Sequence, residues 1–169
     1  MIALDLDRTT VSGYDHVPLT VNSDVLVALL QRNVRRVAFG TNQGGLPWFV
    51  AGIPRADGRL YPSPEQFVGR LQFAVASLAQ CGIAIAAVRV CVFHPRVEDR
   101  HIQTAAHQVR DLLAGSRFDW RVYTAAAARK PQPLMLRSVD ASEYWGDSDE
   151  DEGAAQAAGI PFVRVARFY

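Results

Sequence analysis

At 169 residues, 49% of them hydrophobic, the chain has the size of one domain and enough apolar side chains for a sizeable core. A net charge of +1 excludes a bulk electrostatic drive toward nucleic acid or membrane. No run of about 18 apolar residues predicts a membrane span, and acids interrupt the N-terminal apolar run too early for a signal peptide. Without a secretion signal, Cys81 and Cys91 are expected as reduced thiols in a cytoplasmic protein.

Residues 1–6 read as a first strand, ending in Asp5-Leu6-Asp7-Arg8-Thr9. Residues 23–33 place apolar side chains at 25, 26, 29 and 30, one face of a helix, with Asn22 or Ser23 as N-cap. Residues 36–39 form a second strand, followed by Gly40-Thr41-Asn42-Gln43-Gly44-Gly45. Residues 44–64 read as a long loop rich in Gly and Pro that carries Trp48, Phe49 and Tyr61. Residues 64–80 predict a helix, capped by Ser63 with Gln66 three positions on and ended by Gly82. A buried strand over 87–93, a helix over 97–113 and a strand over 120–124 follow. The chain then predicts a short helix at 133–139, a strand ending at 144–146, a helix over 149–158 closed by Gly159, and a last strand over 162–165. Repeated strand-then-helix units predict an α/β fold, a Rossmann-like parallel sheet with helices on both faces. In such sheets ligands bind beyond the carboxyl ends of the strands.

The polar segments of interest fall at those ends. Asp5 and Asp7 stand two residues apart on an extended strand, so both lean to one side. Two such carboxylates repel unless a proton or a cation lies between them, and a hard divalent ion, Mg²⁺, suits oxygen ligands. A polar strand-to-loop turn accounts for the same pentad. Three later segments add a hydroxyl with an amide (Thr41, Asn42), the only lysine of the chain in Arg129-Lys130-Pro131, and further carboxylates in Gly146-Asp147-Ser148-Asp149-Glu150-Asp151. A carboxylate, a metal site and a cation for phosphate oxygens form the inventory of phosphoryl transfer.

In this order the four segments resemble the motifs of the haloacid dehalogenase (HAD) superfamily of phosphatases, and the resemblance spans residues 1–165. It implies a Mg²⁺-dependent phosphomonoester hydrolase. Asp5 is then the nucleophile that forms an aspartyl phosphate, and Asp7 the general acid and then base. Thr41 and Lys130 bind the phosphoryl oxygens, with Asn42 and Arg129 as further phosphate contacts or, equally, as a turn former and a solvated cation. The resemblance implies that Asp5, Asp147 and the backbone carbonyl of Asp7 hold the metal. Thr9 orients the loop, and Asp151 or Asp149 holds Lys130, with the family spacing favouring Asp151. Glu150 and Glu152 read as an acid-rich first turn favourable to a helix dipole. An alternative of a different class is a binding or regulatory module that kept the fold without the chemistry.

Thr41-Asn42-Gln43 and Arg129-Lys130-Pro131 look most like the branch that holds histidinol-phosphate, heptose-bisphosphate and polynucleotide 3′-phosphatases. The implied partner is a phosphorylated small molecule or a nucleic-acid 3′ end, with no membrane. Three departures stand out. Cys91-Val92-Phe93-His94-Pro95 echoes half of a structural zinc loop, for which only His101 and His107 remain as further ligands, at a poor helical spacing. Arg8 stands where the family usually has glycine. Residues 95–128 occupy the slot of a cap, too short for a cap domain: either a partial roof that sets substrate choice, or a packed surface helix.

Overall fold

The computed structural model describes residues 1–12 and 18–167. In chain order the elements are β1 (Ile2–Leu4), β2 (Val11–Ser12), β3 (Thr20–Val21), α1 (Ser23–Gln31), β4 (Arg36–Asn42), α2 (Leu46–Val50), α3 (Pro64–Gln80) and β5 (Ala84–Cys91). They continue with α4 (Asp99–Leu113), β6 (Asp119–Tyr123), a single 3₁₀ turn (Ala126–Ala128), α5 (Leu134–Arg137), β7 (Glu143–Gly146), α6 (Asp149–Ala158) and β8 (Phe162–Arg164).

Six strands form one parallel sheet in the order β6-β5-β4-β1-β7-β8. The chain moves outward from β1 through β4, β5 and β6, then returns to the other side of β1 with β7. The reversal puts a crevice at the carboxyl ends of β4, β1 and β7, where an open parallel sheet binds its ligand. Alternation along β1 explains the two layers around it. Ile2 and Leu4 join the large core with Val25 and Leu29 of α1, Phe67 and Leu71 of α3, and Ile102 and Val109 of α4. Ala3 faces the other way, with Ala38, Ala87, Leu136 of α5 and Ala154 and Ala155 of α6. Alanines on that face let α6 approach the sheet closely. Each fully buried leucine or phenylalanine of the larger layer contributes roughly 1.5–3 kcal/mol.

Local signals set the helix ends. Asn22 caps α1 by accepting from the N–H groups of Asp24 and Val25. Ser63 and Gln66 form a reciprocal capping box on α3, and Gly159, at φ 76°, closes α6.

The structure alters or decides this reading at several points. The second strand runs on to Asn42, because Thr41 and Asn42 pair with Val90 and Cys91 of β5. The loop over 44–64 contains the short helix α2, and a small antiparallel pair, β2 with β3, follows the first acidic segment. Residues 95–128 are not a roof. Ile102, Ala105, Ala106, Val109 and Leu113 of α4 are core residues, and β6 is a strand of the main sheet. The segment is an ordinary crossover unit whose removal would open the core. Among the described residues no zinc cluster forms: Cys91 is buried in the sheet, the backbone N–H of Arg96 donates to His94 Nδ1, and His107 pairs with Asp111 on an exposed helix face. Cys81 and Cys91 are both free thiols. No described helix is long and apolar enough to cross a membrane.

Candidate active site

Asp5 follows β1 directly. Its N–H donates to the carbonyl of Trp145 in β7 at 2.8 Å, and its carbonyl accepts from Thr10 Oγ1 at 2.7 Å. The residue expected to orient this loop, Thr9, lies buried with its hydroxyl unpaired; its neighbour Thr10 makes the bond instead. Thr9 contributes through its carbonyl, which accepts from Asn22 Nδ2 at 2.9 Å.

Lys130 reaches the same point from the loop after the 3₁₀ turn. Its ammonium donates to Asp5 Oδ1 at 2.6 Å, to Asp151 Oδ1 at 2.6 Å and to the Tyr144 hydroxyl at 3.0 Å, which uses all three protons. Asn42, at the end of β4, clamps the lysine's backbone. It accepts from Lys130 N at 3.1 Å, and its amide donates to Glu150 Oε2 at 3.1 Å. Asp151 is fixed from below by a second capping box. Ser148 Oγ donates to Asp151 Oδ2 at 2.6 Å and accepts from Asp151 N at 3.2 Å. Asp151, not Asp149, is therefore the acid that holds Lys130; Asp149 is exposed and pairs with Arg164 at 3.0 Å. Gly146 admits this packing, since a Cβ there would lie 2.5 Å from the side chain of Asp151.

Burial sets the electrostatics of this group. It pushes Asp5 up to about 7; Lys130 opposes the rise, while Asp151 and Asp7 add to it. Burial acts against the charge of Lys130 too, but Asp5, Tyr144 and Asp151 outweigh it and hold the ammonium charged. Burial would raise Asp151 as well, yet Lys130 and the hydrogen bonds from Lys130, Ser148 and Tyr144 keep it below the usual range. Burial keeps the Tyr144 phenol protonated.

Carboxylate oxygens of Asp5, Asp147 and Asp151 lie within 4.8 Å of one another, all three residues buried. Both oxygens of Asp151 are engaged, Oδ1 by Lys130 and Tyr144 and Oδ2 by Ser148, whereas Lys130 meets Asp5 at Oδ1 and the arginines meet Asp147 at Oδ2, so Asp5 and Asp147 are the carboxylates that could turn an oxygen to a cation. Hard oxygen donors of this kind suit a hard divalent cation. The Asp7 carboxylate belongs to a separate group: Gln43 Nε2 donates to its Oδ2 at 2.6 Å, and Arg70 Nε lies 3.4 Å from its Oδ1. Gln43 also donates to Thr41 Oγ1 at 2.9 Å, linking the acid to the buried hydroxyl of β4. On the other side, Arg8 takes the left-handed backbone at φ 63°, and its Nε lies 3.9 Å from Asp147 Oδ2. Arg167 Nε lies 3.0 Å from the same oxygen.

These groups line a cleft of about 390 Å³. Its lining includes Asp5, Asp7, Thr41, Asn42, Arg129, Lys130, Asp147 and Asp151, so the structure brings together every expected site residue except Thr9, with the acids, Thr41, Asn42 and Lys130 forming what we call the floor. Arg129 lies at the rim, its Nη1 donating to the Phe93 carbonyl at 3.3 Å. Six further contributors carry no assigned role in the sequence. Gln43 lies in the Gly40-Thr41-Asn42-Gln43-Gly44-Gly45 segment, where nothing local marks it as a site residue. Arg70 and the loop residues Trp48, Arg55 and Tyr61 line the cleft, and Tyr144 lies behind it against Lys130; none has a local signal, because only the fold brings α3, β7 and the 44–64 loop to the strand ends.

No family model, no curated protein and no solved structure matches this chain.

Proposed function

We propose that the chain is a Mg²⁺-dependent phosphomonoester hydrolase that works through an aspartyl phosphate on Asp5. One observation carries this reading: Lys130 is held at 2.6 Å from both Asp5 and Asp151, buried at the switch point of a parallel sheet, with Asp147 beside them. A lone structural ion pair has no need of a third buried carboxylate, nor of an open cleft above it.

In this reading an oxygen of Asp5 attacks phosphorus and the ester P–O bond breaks. Asp7, at the mouth of the same floor and aimed by Gln43, gives its proton to the departing oxygen. Water then attacks the aspartyl phosphate, Asp7 takes the proton of the water, and inorganic phosphate leaves with Asp5 regenerated. Thr41 holds a phosphoryl oxygen, and Lys130, its three protons engaged by Asp5, Asp151 and Tyr144, keeps Asp5 in line and offers the phosphoryl group its positive charge. Mg²⁺, held by Asp5, Asp147 and the Asp7 carbonyl, would neutralise charge on the phosphoryl group. Asp5→Asn keeps the shape and removes the nucleophile. It should lower turnover of a generic phosphomonoester by about a thousandfold or more. Turnover within tenfold of wild type would remove Asp5 from the chemistry.

The alternative, a non-catalytic module on the same fold, draws on one feature. Arg167 and Arg8 both contact Asp147, so protein cations stand where a metal would bind. Calorimetric titration with Mg²⁺ decides: no binding at millimolar Mg²⁺ favours the module, and binding lost in Asp147→Asn favours the hydrolase.

A further inference from the structure

The wall of the cleft lined by the 44–64 loop, His94 and Arg129 has its own chemistry. Gly44 and Gly45 follow β4, and two side chains press onto their backbones. A Cβ at Gly44 would lie 2.7 Å from Arg129 Nη1, and one at Gly45 would lie 2.8 Å from the Tyr61 ring. Arg129 and Tyr61 are thus neighbours across the glycine pair. Trp48 stacks on Tyr61 with centroids 6.2 Å apart, and His94 meets the edge of Trp48 at 5.2 Å. The Arg55 guanidinium lies 5.3 Å from the Tyr61 centroid, set there by a turn closed by Arg55 N to Arg59 O at 2.7 Å. All five of these side chains line the cleft. None is acidic, and among the described residues neither Arg55 nor Arg129 has a carboxylate partner.

Two guanidinium groups around stacked rings fit a ligand that is both planar and anionic. Aromatic faces hold bases, and Arg adds cation–π and phosphate contacts. The transferred phosphate belongs on the floor with Lys130, so the wall faces the leaving group. We propose that this leaving group is a nucleoside carrying a second phosphate, its base against Trp48 and Tyr61 and that phosphate on Arg55 and Arg129. The proposal rests on the phosphohydrolase reading for its direction: the P–O bond on the floor is hydrolysed, giving inorganic phosphate and a nucleoside with one phosphate fewer. The same chemistry comes from a free nucleoside bisphosphate or from the phosphorylated end of a single strand.

The test is a two-by-two panel: adenosine 3′,5′-bisphosphate, adenosine 3′-monophosphate, fructose 1,6-bisphosphate and fructose 6-phosphate, with a 3′-phosphorylated oligonucleotide added. Binding is measured with Asp5→Asn protein and Mg²⁺, and turnover with wild type. Adenosine bisphosphate should bind at least about tenfold tighter than either the sugar bisphosphate or the monophosphate. Arg55→Gln should abolish the advantage of the second phosphate, and Trp48→Leu the advantage of the base, as ratios within the panel; a merely structural role would weaken all ligands alike. Equal binding of sugar and nucleoside bisphosphates, or of adenosine mono- and bisphosphate, overturns the proposal. Tighter binding of the oligonucleotide identifies a strand end as the source, and tighter binding of the bisphosphate a free nucleotide. If wild type hydrolyses nothing in the panel while the binding ranking holds, the hydrolase reading fails and the wall assignment stands. Hydrolysis of all members without ranking gives the reverse.

Discussion

The floor and the wall of the cleft are built on opposite terms. On the floor the charges answer one another: Lys130 sits buried between Asp5 and Asp151, the partly buried Asp7 meets Arg70, and Asp147 meets two arginines. On the wall, Arg55 lies on a ring and Arg129 on a backbone carbonyl, both half-exposed. A buried charge network couples chemistry to folding, because breaking one pair leaves the others uncompensated. A half-solvated cation on a ring is left free to meet a ligand at little cost to the fold. Substitutions on the floor should therefore alter stability and turnover together, and those on the wall only the choice of ligand.

Lys130→Met tests the first half most severely. It leaves two carboxylates buried beside Tyr144 without their shared cation, and removal of one partner from a buried ionic group costs about 3–5 kcal/mol. Urea denaturation should show a loss of that size, alongside loss of turnover. A stability within about 1 kcal/mol of wild type would mean the floor is not coupled to the fold as described.

A second contrast lies in pH. Burial holds the proton on Asp5 up to about 7, above its ordinary 3.8. A carboxyl with a raised folded-state value favours the fold most at low pH. That contribution falls as pH rises from about 4 toward 7, where the unfolded chain ionises and the folded one resists. Mg²⁺ must displace the same proton, so its affinity should climb by up to about tenfold per pH unit below 7 and level off above it. Calorimetry from pH 5.5 to 8 reads the slope, and thermal melts with and without Mg²⁺ should diverge as pH rises. Asp5→Asn should flatten the affinity profile; a slope that survives that variant assigns the proton elsewhere.

How much of this was legible in the sequence follows the same division. The floor was readable because each strand end has its chemistry within a few residues: Asp5 and Asp7 after β1, Thr41 and Asn42 at the end of β4, Asp147 and Asp151 after β7. Strand-helix alternation then indicates that such ends converge. The capping signals at Ser63, Asn22 and Gly159 were local and held in the structure. What depends on tertiary packing was hidden. Arg70 is one arginine among many on a helix until α3 packs beside the cleft. Tyr144 looks like a strand residue until its hydroxyl meets Lys130 and the Gly40 carbonyl, 3.0 and 2.9 Å away. Residues 95–128 had the length of a small cap, and only the pairing of β6 with β5 shows that they complete the sheet. The wall comes from a loop whose rings had no periodicity to read.

Arg8 is where floor and wall chemistry meet, and it gives the smallest expected effect. Its left-handed φ of 63° is a conformation that glycine adopts freely and arginine does not, a strain of roughly 1–2 kcal/mol. Its guanidinium is about two-fifths exposed and its Nε lies 3.9 Å from Asp147, so the ion pair returns less than about 1 kcal/mol. Arg8→Gly relieves the strain but gives the unfolded chain more freedom, which offsets roughly 0.5–1 kcal/mol of the gain. The net change should be stabilisation by no more than about 1 kcal/mol. The sharper readout is the metal. With Arg8 gone, Asp147 has one fewer cation to compete with Mg²⁺, and affinity should rise severalfold, more at low ionic strength than at high, because the competing contact is screened by salt. A fall in Mg²⁺ affinity would show that Arg8 supports the site instead of competing for it, and would move this residue from an obstacle at Asp147 to a partner of the phosphate.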